Sequence, residues 1–166
     1  GTHHTTATGD LPKYPECRGV CVDEPVNYNN DIYAEIISDS CGIHVDPYMQ
    51  RLVRKIKGDD RIILISDAYA CDGPIPEGYD DVDDINFDHM GEIAGSKMIL
   101  DGPCRNMMTH TGASLCQVFK YASTNPATML GLTDRGSIRV GNLANLVTVD
   151  PEFNVQSVYL KGVKVK

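Results

Sequence analysis

Three short stretches of this sequence carry side chains able to do acid–base or metal chemistry beside apolar runs. They are Thr2-His3-His4, Gly42-Ile43-His44-Val45-Asp46 and Ile65-Ser66-Asp67-Ala68. An imidazole near its neutral point ligates a metal or relays a proton, and a carboxylate takes up a proton and returns it. A polar group at the end of a buried strand must be hydrogen-bonded or ligated, because leaving it unsatisfied costs about 1–3 kcal/mol. Each stretch also has a plain structural reading: His44 as a cap for the helix that follows, Asp67 as a turn or cap carboxylate. Cys17 and Cys21 are spaced CxxxC with no second Cys or His pair nearby, short of a zinc knuckle. Asp80, Asp81, Asp83 and Asp84 lack the loop spacing of a calcium hand and read as a solvated acidic loop.

The elements that must position these residues follow from the apolar pattern. Up to Asn30, Gly9, Pro12, Pro15, Gly19 and Pro25 break any period, so the segment reads as loop with one short helix. Ile32 to Ser38 is an apolar run of strand length, ending in the polar turn Asp39-Ser40-Cys41-Gly42 and a second extended piece, Ile43 to Val45. Asp46 as N-cap and Pro47 at the first helical position open a helix, with Met49, Leu52, Val53 and Ile56 at helical spacing and a stop at Gly58. Arg61 to Ser66 is again an unalternated apolar strand. Strand, helix, strand of this kind predicts a parallel sheet covered by helices, whose chemistry sits at the C-terminal ends of the strands, so His44 and Asp67 belong to one rim. Helical patterns follow over Met98–His110, Ser114–Tyr121 and Pro126–Leu130. The tail changes period to strands over Leu146–Val149, Val155–Leu160 and Val163–Val165.

Composition narrows the partners. The 166 residues, 42% hydrophobic and 23% charged, describe a folded chain and exclude intrinsic disorder. Lys and Arg total 15 against 23 Asp and Glu, and the resulting charge of −8 repels phosphate backbones and anionic lipid, so neither nucleic acid nor membrane is an expected partner. No run approaches the ~20 apolar residues of a membrane helix, and the first residues have neither the basic start nor the apolar core of a secretory leader. The six cysteines, scattered through apolar patterns, read as free thiols in a cytoplasmic protein.

In order along the chain, Thr2-His3, Ile36 to Asp46, Leu64 to Ala68, Gly91-Glu92-Ile93-Ala94-Gly95-Ser96 and Ala122-Ser123-Thr124-Asn125-Pro126-Ala127 resemble the last part of the amidohydrolase superfamily. Gly131-Leu132, Arg135 to Ile138 and Gly141 to Val147 extend the match. Within that superfamily the resemblance is strongest to the N-acetylglucosamine-6-phosphate deacetylase family. It implies an α/β fold: the C-terminal part of a TIM-like (β/α)8 barrel over residues 1–135, then part of a small β-sandwich domain over 136–166. It also implies a divalent metal ion, zinc ahead of iron or manganese, with His3 as a ligand after the sixth barrel strand. Asp67 would be the catalytic acid and base, and His44 would donate a hydrogen bond to the substrate. Ala7, Ile93, Ala94 and Gly95 would border the sugar, with the glycine permitting close backbone approach, and Arg18 would meet the phosphate of an amino-sugar phosphate.

The sequence departs from the family in places. Thr5-Thr6-Ala7-Thr8 keeps only the alanine of the usual Asn-Ala pair, Tyr14 to Glu24 differs in length and composition, and Asn145 replaces an Asp. A complete barrel takes ~250 residues, and this chain opens where the family reaches its sixth strand. The other metal ligands are expected from an N-terminal half of the barrel, without which the chain is expected to be inactive. Ile32–Ile37 and Ile62–Ile65 expect packing on both faces, to be supplied by that half or by a second copy in a homo-oligomer. Two alternatives stand beside this reading: a dihydroorotase-like or aminoacylase-like enzyme, and a non-catalytic binding or assembly fragment.

Overall fold

The computed structural model describes residues 1–9, 14–16, 19–71 and 73–166. Arg18 and Cys17 lie outside them. The short helix α1 (Asp23–Tyr28) leads into a strand–helix–strand unit of β1 (Ala34–Ile37), α2 (Pro47–Lys57) and β2 (Ile62–Ile65). β1 and β2 are parallel, in register from Ala34 opposite Ile62 to Ile37 opposite Ile65. The first residues lie along the other edge of β1: the amine of Gly1 donates to the Tyr33 carbonyl (2.7 Å), and the Gly1 carbonyl accepts from the Glu35 amide (3.0 Å).

Ile36 and Ile37 point to opposite faces of the sheet, and both are fully buried; Ile62, Ile63 and Leu64 are at most 3% exposed. The side chains on both faces of these strands are therefore covered by residues of this chain. The core joins Ala34, Ile36, Ile62 and Leu64 to Val53 of α2 and to Met107, Val118 and Tyr121 of the later helices.

α2 begins and ends as expected: the Asp46 carboxylate accepts from the Tyr48 amide, Pro47 opens the helix and Gly58 closes it. Its buried face differs from the apolar stripe. Leu52 and Ile56 are exposed, whereas Gln50 and Lys57 are buried. Polar partners explain the exchange, since Gln50 bonds the Ser38 hydroxyl and the Val45 carbonyl, and the Lys57 ammonium donates to the carbonyls of Val26 and Asn29. Ile43 to Val45, expected as an extended piece, is a bend with no strand pairing.

After β2 the chain forms an antiparallel hairpin that the sequence pattern did not suggest, β3 (Ile85–Phe87) and β4 (Ile93–Ser96). It is tied to the end of β2: the Ser96 amide donates to the Asp67 carbonyl (2.8 Å) and the Tyr69 amide to the Ser96 carbonyl (3.0 Å). α3 (Asp101–Thr111) follows. α4 (Leu115–Phe119), a π-helical turn (Lys120–Thr124) and α5 (Asn125–Met129) then run on without a break where two separate helices were expected. The buried Asn125 amide donates to the carbonyls of Asp59 and Ile62, pinning this run to the start of β2.

The last residues form an antiparallel sheet of β5 (Leu146–Val149), β6 (Val155–Leu160) and β7 (Val163–Lys164), in that order. Phe153 in its first turn packs on Phe119, ring centroids 4.9 Å apart. Among the described residues no helix is long and apolar enough to cross a membrane.

Candidate functional site

Asp67 follows β2 by two residues and His3 lies on the other side of β1, yet His3 Nε2 and Asp67 Oδ1 are 3.2 Å apart. The two side chains are 47% and 32% exposed, so a small molecule can reach both. Their backbones are unusual as well. His3 (φ 49°), Thr5 (φ 64°), Ala7 (φ 49°) and Asp67 (φ 49°) occupy the left-handed region, which disfavours side chains by about 1–2 kcal/mol per residue. Such conformations persist where the surroundings over-determine them, and they gather at functional sites.

The hairpin positions Asp67 from the other side. A Cβ on Gly95 (φ +71°) would stand 2.4 Å from the Asp67 carbonyl oxygen and 3.3 Å from its Oδ2. The space freed by this glycine faces Asp67. Ala94 beside it is half-buried, and Ile93 and Ala7 are exposed.

His44 is held separately, by the loop between β1 and α2. Its side chain is 2% exposed, Nδ1 is 3.2 Å from Asp39 Oδ2, and Nε2 is buried without a hydrogen-bond partner. Asp39, fully buried, also accepts from the amides of Cys41, Ile43 and His44. Burial alone pushes the Asp39 carboxyl up, but the His44 ring and these amides outweigh it and hold the group below the usual carboxylate range. The helix-capping alternative for His44 falls away, since Asp46 takes that role.

Sequence reasoning gave no role to the group beneath His3. His4 is buried, its Nε2 bonded to Asn27 (2.9 Å), and its Nδ1 stands 3.0 Å from Asp23 without hydrogen-bond alignment. Asp23 also accepts from the Thr5 amide and the Thr8 hydroxyl, tying the His3 loop to α1. Burial lowers the His4 pKa against the raising effects of Asn27 and Asp23. A histidine adjacent to the candidate ligand was the available signal.

His3 and Asp67 are donors of the type a divalent ion takes. A catalytic metal needs about three protein ligands, and among the described residues no group of three or more His, Cys, Asp or Glu side chains is placed to hold one. These residues alone do not make a complete metal site. The described cysteines, Cys21, Cys41, Cys71, Cys104 and Cys116, are free thiols.

Comparison with known proteins places this architecture. The chain is 31% identical over 139 residues to the putative N-acetylgalactosamine-6-phosphate deacetylase of Escherichia coli K12, spanning 78% of this chain and 81% of that one. It is 26% identical over 148 residues to the N-acetylglucosamine-6-phosphate deacetylase of Haemophilus influenzae, spanning 81% of this chain and 37% of the relative. The crystal structure of N-acetylglucosamine-6-phosphate deacetylase from Pasteurella multocida superposes with a TM-score of 0.80 at 29% identity, over 98% of this chain and 43% of that chain. The chain thus spans less than half the length of the Haemophilus and Pasteurella proteins. The sequence profile of the amidohydrolase family, whose members are generally metal-dependent, matches residues 49–165, and the chain belongs to that family.

Proposed function

We propose that this chain is the C-terminal part of the catalytic barrel, with part of the small β-domain, of a hydrolase that removes the acetyl group from N-acetylglucosamine 6-phosphate, giving glucosamine 6-phosphate and acetate. The observation that carries the proposal is the meeting of His3 and Asp67 at 3.2 Å beside the opening of the parallel strand pair. The family's divalent ion, zinc ahead of iron or manganese, supplies when bound the acidity that makes water reactive near neutral pH. Its remaining ligands come from outside the described residues.

Asp67 takes the proton of the attacking water as the carbon–oxygen bond forms. It then returns that proton to the amide nitrogen as the carbon–nitrogen bond breaks, because an unprotonated amine is a poor leaving group. The Ser96 amide holds the Asp67 carbonyl while this proton moves, and Gly95 lets the hairpin come that close. His3 flanks the carboxylate and is assigned to the metal. His44 binds substrate, Ala7, Ile93, Ala94 and Gly95 border the sugar, and Arg18 is assigned to the phosphate from its sequence position alone.

The E. coli relative favours a second reading in which the sugar is the galacto epimer. Hydrolysis by the complete enzyme, read as acetate release from the two 6-phosphates, ring opening of dihydroorotate and amine release from N-acyl amino acids, separates these cases. Hydrolysis of an acetylated sugar phosphate at least tenfold faster than the other amides is the expected result. Preference for a cyclic imide or an N-acyl amino acid would overturn it.

A further inference from the structure

The loop between β1 and α2 is held more firmly than a surface turn requires. Asn106 of α3 donates to the Ser38 carbonyl (2.9 Å), His110 Nε2 meets the Asp39 carbonyl (2.8 Å), and Gln50 of α2 bridges the Ser38 hydroxyl and the Val45 carbonyl. At its centre, Asp39 Oδ1 accepts from the amides of Cys41 (3.1 Å) and Ile43 (2.8 Å). Oδ2 accepts from the His44 amide (2.8 Å) and faces His44 Nδ1 at 3.2 Å. With three amide donors around it, the carboxylate is ionised at neutral pH.

An ionised carboxylate only accepts hydrogen bonds, so the atom facing Oδ2 must carry the proton. A neutral imidazole protonated on Nδ1 has a bare lone pair on Nε2, and Nε2 is the atom that is buried and unpartnered here. Protonating it as well would bury a cation whose new N–H has no acceptor, the costlier arrangement.

We propose that Asp39 is a positioning residue that locks His44 in the Nδ1-protonated tautomer, so that Nε2 accepts a hydrogen bond from a hydroxyl or N–H of the substrate. This rests on His44 being a substrate-binding residue, and it reverses the donor role that the family resemblance suggested. The group read at Nε2 brings its own proton: a sugar hydroxyl or the acetamido N–H, not a carbonyl or phosphoryl oxygen.

Nitrogen-15 NMR of the imidazoles in the complete enzyme at neutral pH, without substrate, is the test. The expected result is a protonated Nδ1 and a bare Nε2 for His44, assigned by loss of the signal in His44→Asn. In Asp39→Asn the lock is lost, so the tautomers mix and KM rises about tenfold while kcat stays within about threefold. A wild-type His44 with its proton on Nε2, an imidazolium at neutral pH, or an unchanged tautomer in folded Asp39→Asn would overturn the proposal. If Asp39→Asn does not fold, the wild-type spectrum decides alone. The spectrum needs no substrate, so failure of the deacetylase reading, seen as absent acetate release, remains a separate outcome.

Discussion

In the proposed mechanism Asp67 takes a proton from water and returns it to the amine, and replacing it with Asn preserves shape while removing the proton acceptor. In the complete enzyme Asp67→Asn is expected to lower kcat by ~100-fold or more with metal content unchanged. A kcat within threefold of wild type, with metal retained, would remove Asp67 from the chemistry. Gly95→Ala tests how Asp67 is held. The new Cβ would lie 2.4 Å from the Asp67 carbonyl in a backbone of φ +71°. Because that contact is with main chain and cannot swing aside, the variant is expected to lose about 1–2 kcal/mol of stability, read from its urea midpoint, together with activity. Asp67 stood out in the sequence because it follows the apolar run Ile62 to Ile65, whereas His3, preceded only by Gly1 and Thr2, and the substrate role of His44 came from the family resemblance. Asp39 did not stand out: an Asp in a polar stretch after a strand reads as a turn residue, and its hold on His44 depends on a loop closure that sequence spacing does not encode.

At the scale of elements, legibility followed the strength of local punctuation. α2 was marked by Asp46, Pro47 and Gly58, and its limits emerged as read. β3 and β4 carried no period, since three- and four-residue strands containing the exposed Ile93 and a left-handed Gly95 owe their form to hydrogen bonds with Asp67 and Tyr69. Asn125-Pro126 has the pattern of a fresh helix start, yet the run from Leu115 to Met129 is continuous because the π-helical turn bridges it. Asn125 shows what this segment does: its amide satisfies two carbonyls at the N-terminal end of β2, the end away from Asp67. Asn125→Ala is accordingly expected to cost about 1–3 kcal/mol in urea unfolding while leaving kcat within about twofold. A stable variant with lost activity would instead tie this segment to the chemistry.

For the whole molecule, two carboxylates knit the helices to the strands and make stability depend on acid. Burial pushes the Asp59 carboxyl up, but bonds from Tyr121 and Gln117 and the nearby charges of Arg54 and Lys120 hold it below the usual range, as for Asp39. Burial, reinforced by Asp59, raises the Tyr121 phenol to about 12, so it stays a donor. Groups depressed in the folded state contribute stability above their unfolded pKa of ~3.9, and that contribution is lost as pH falls through the lower folded values. Urea midpoints taken from pH 7 to pH 2.5 should fall below about pH 4, and a flat profile would contradict this. The second consequence concerns association. Strands β1 and β2 cover themselves, but the C-terminal sheet does not: Leu160, Val163 and Val165 are 54–66% exposed, with Val147 at 40%, and Ile138 and Val140 just before β5 are almost fully so. β5 and β7 are the edges of this sheet, and their unpaired backbone groups beside exposed apolar side chains form a template for a second edge. The purified 166-residue chain is therefore expected to associate through that sheet, giving a sedimentation coefficient that rises with concentration in the micromolar range. Val163→Lys, a charge on the edge strand, should weaken the rise without changing the urea midpoint. A species that stays at 18.2 kDa across that range, cooperatively folded, would sink the expectation.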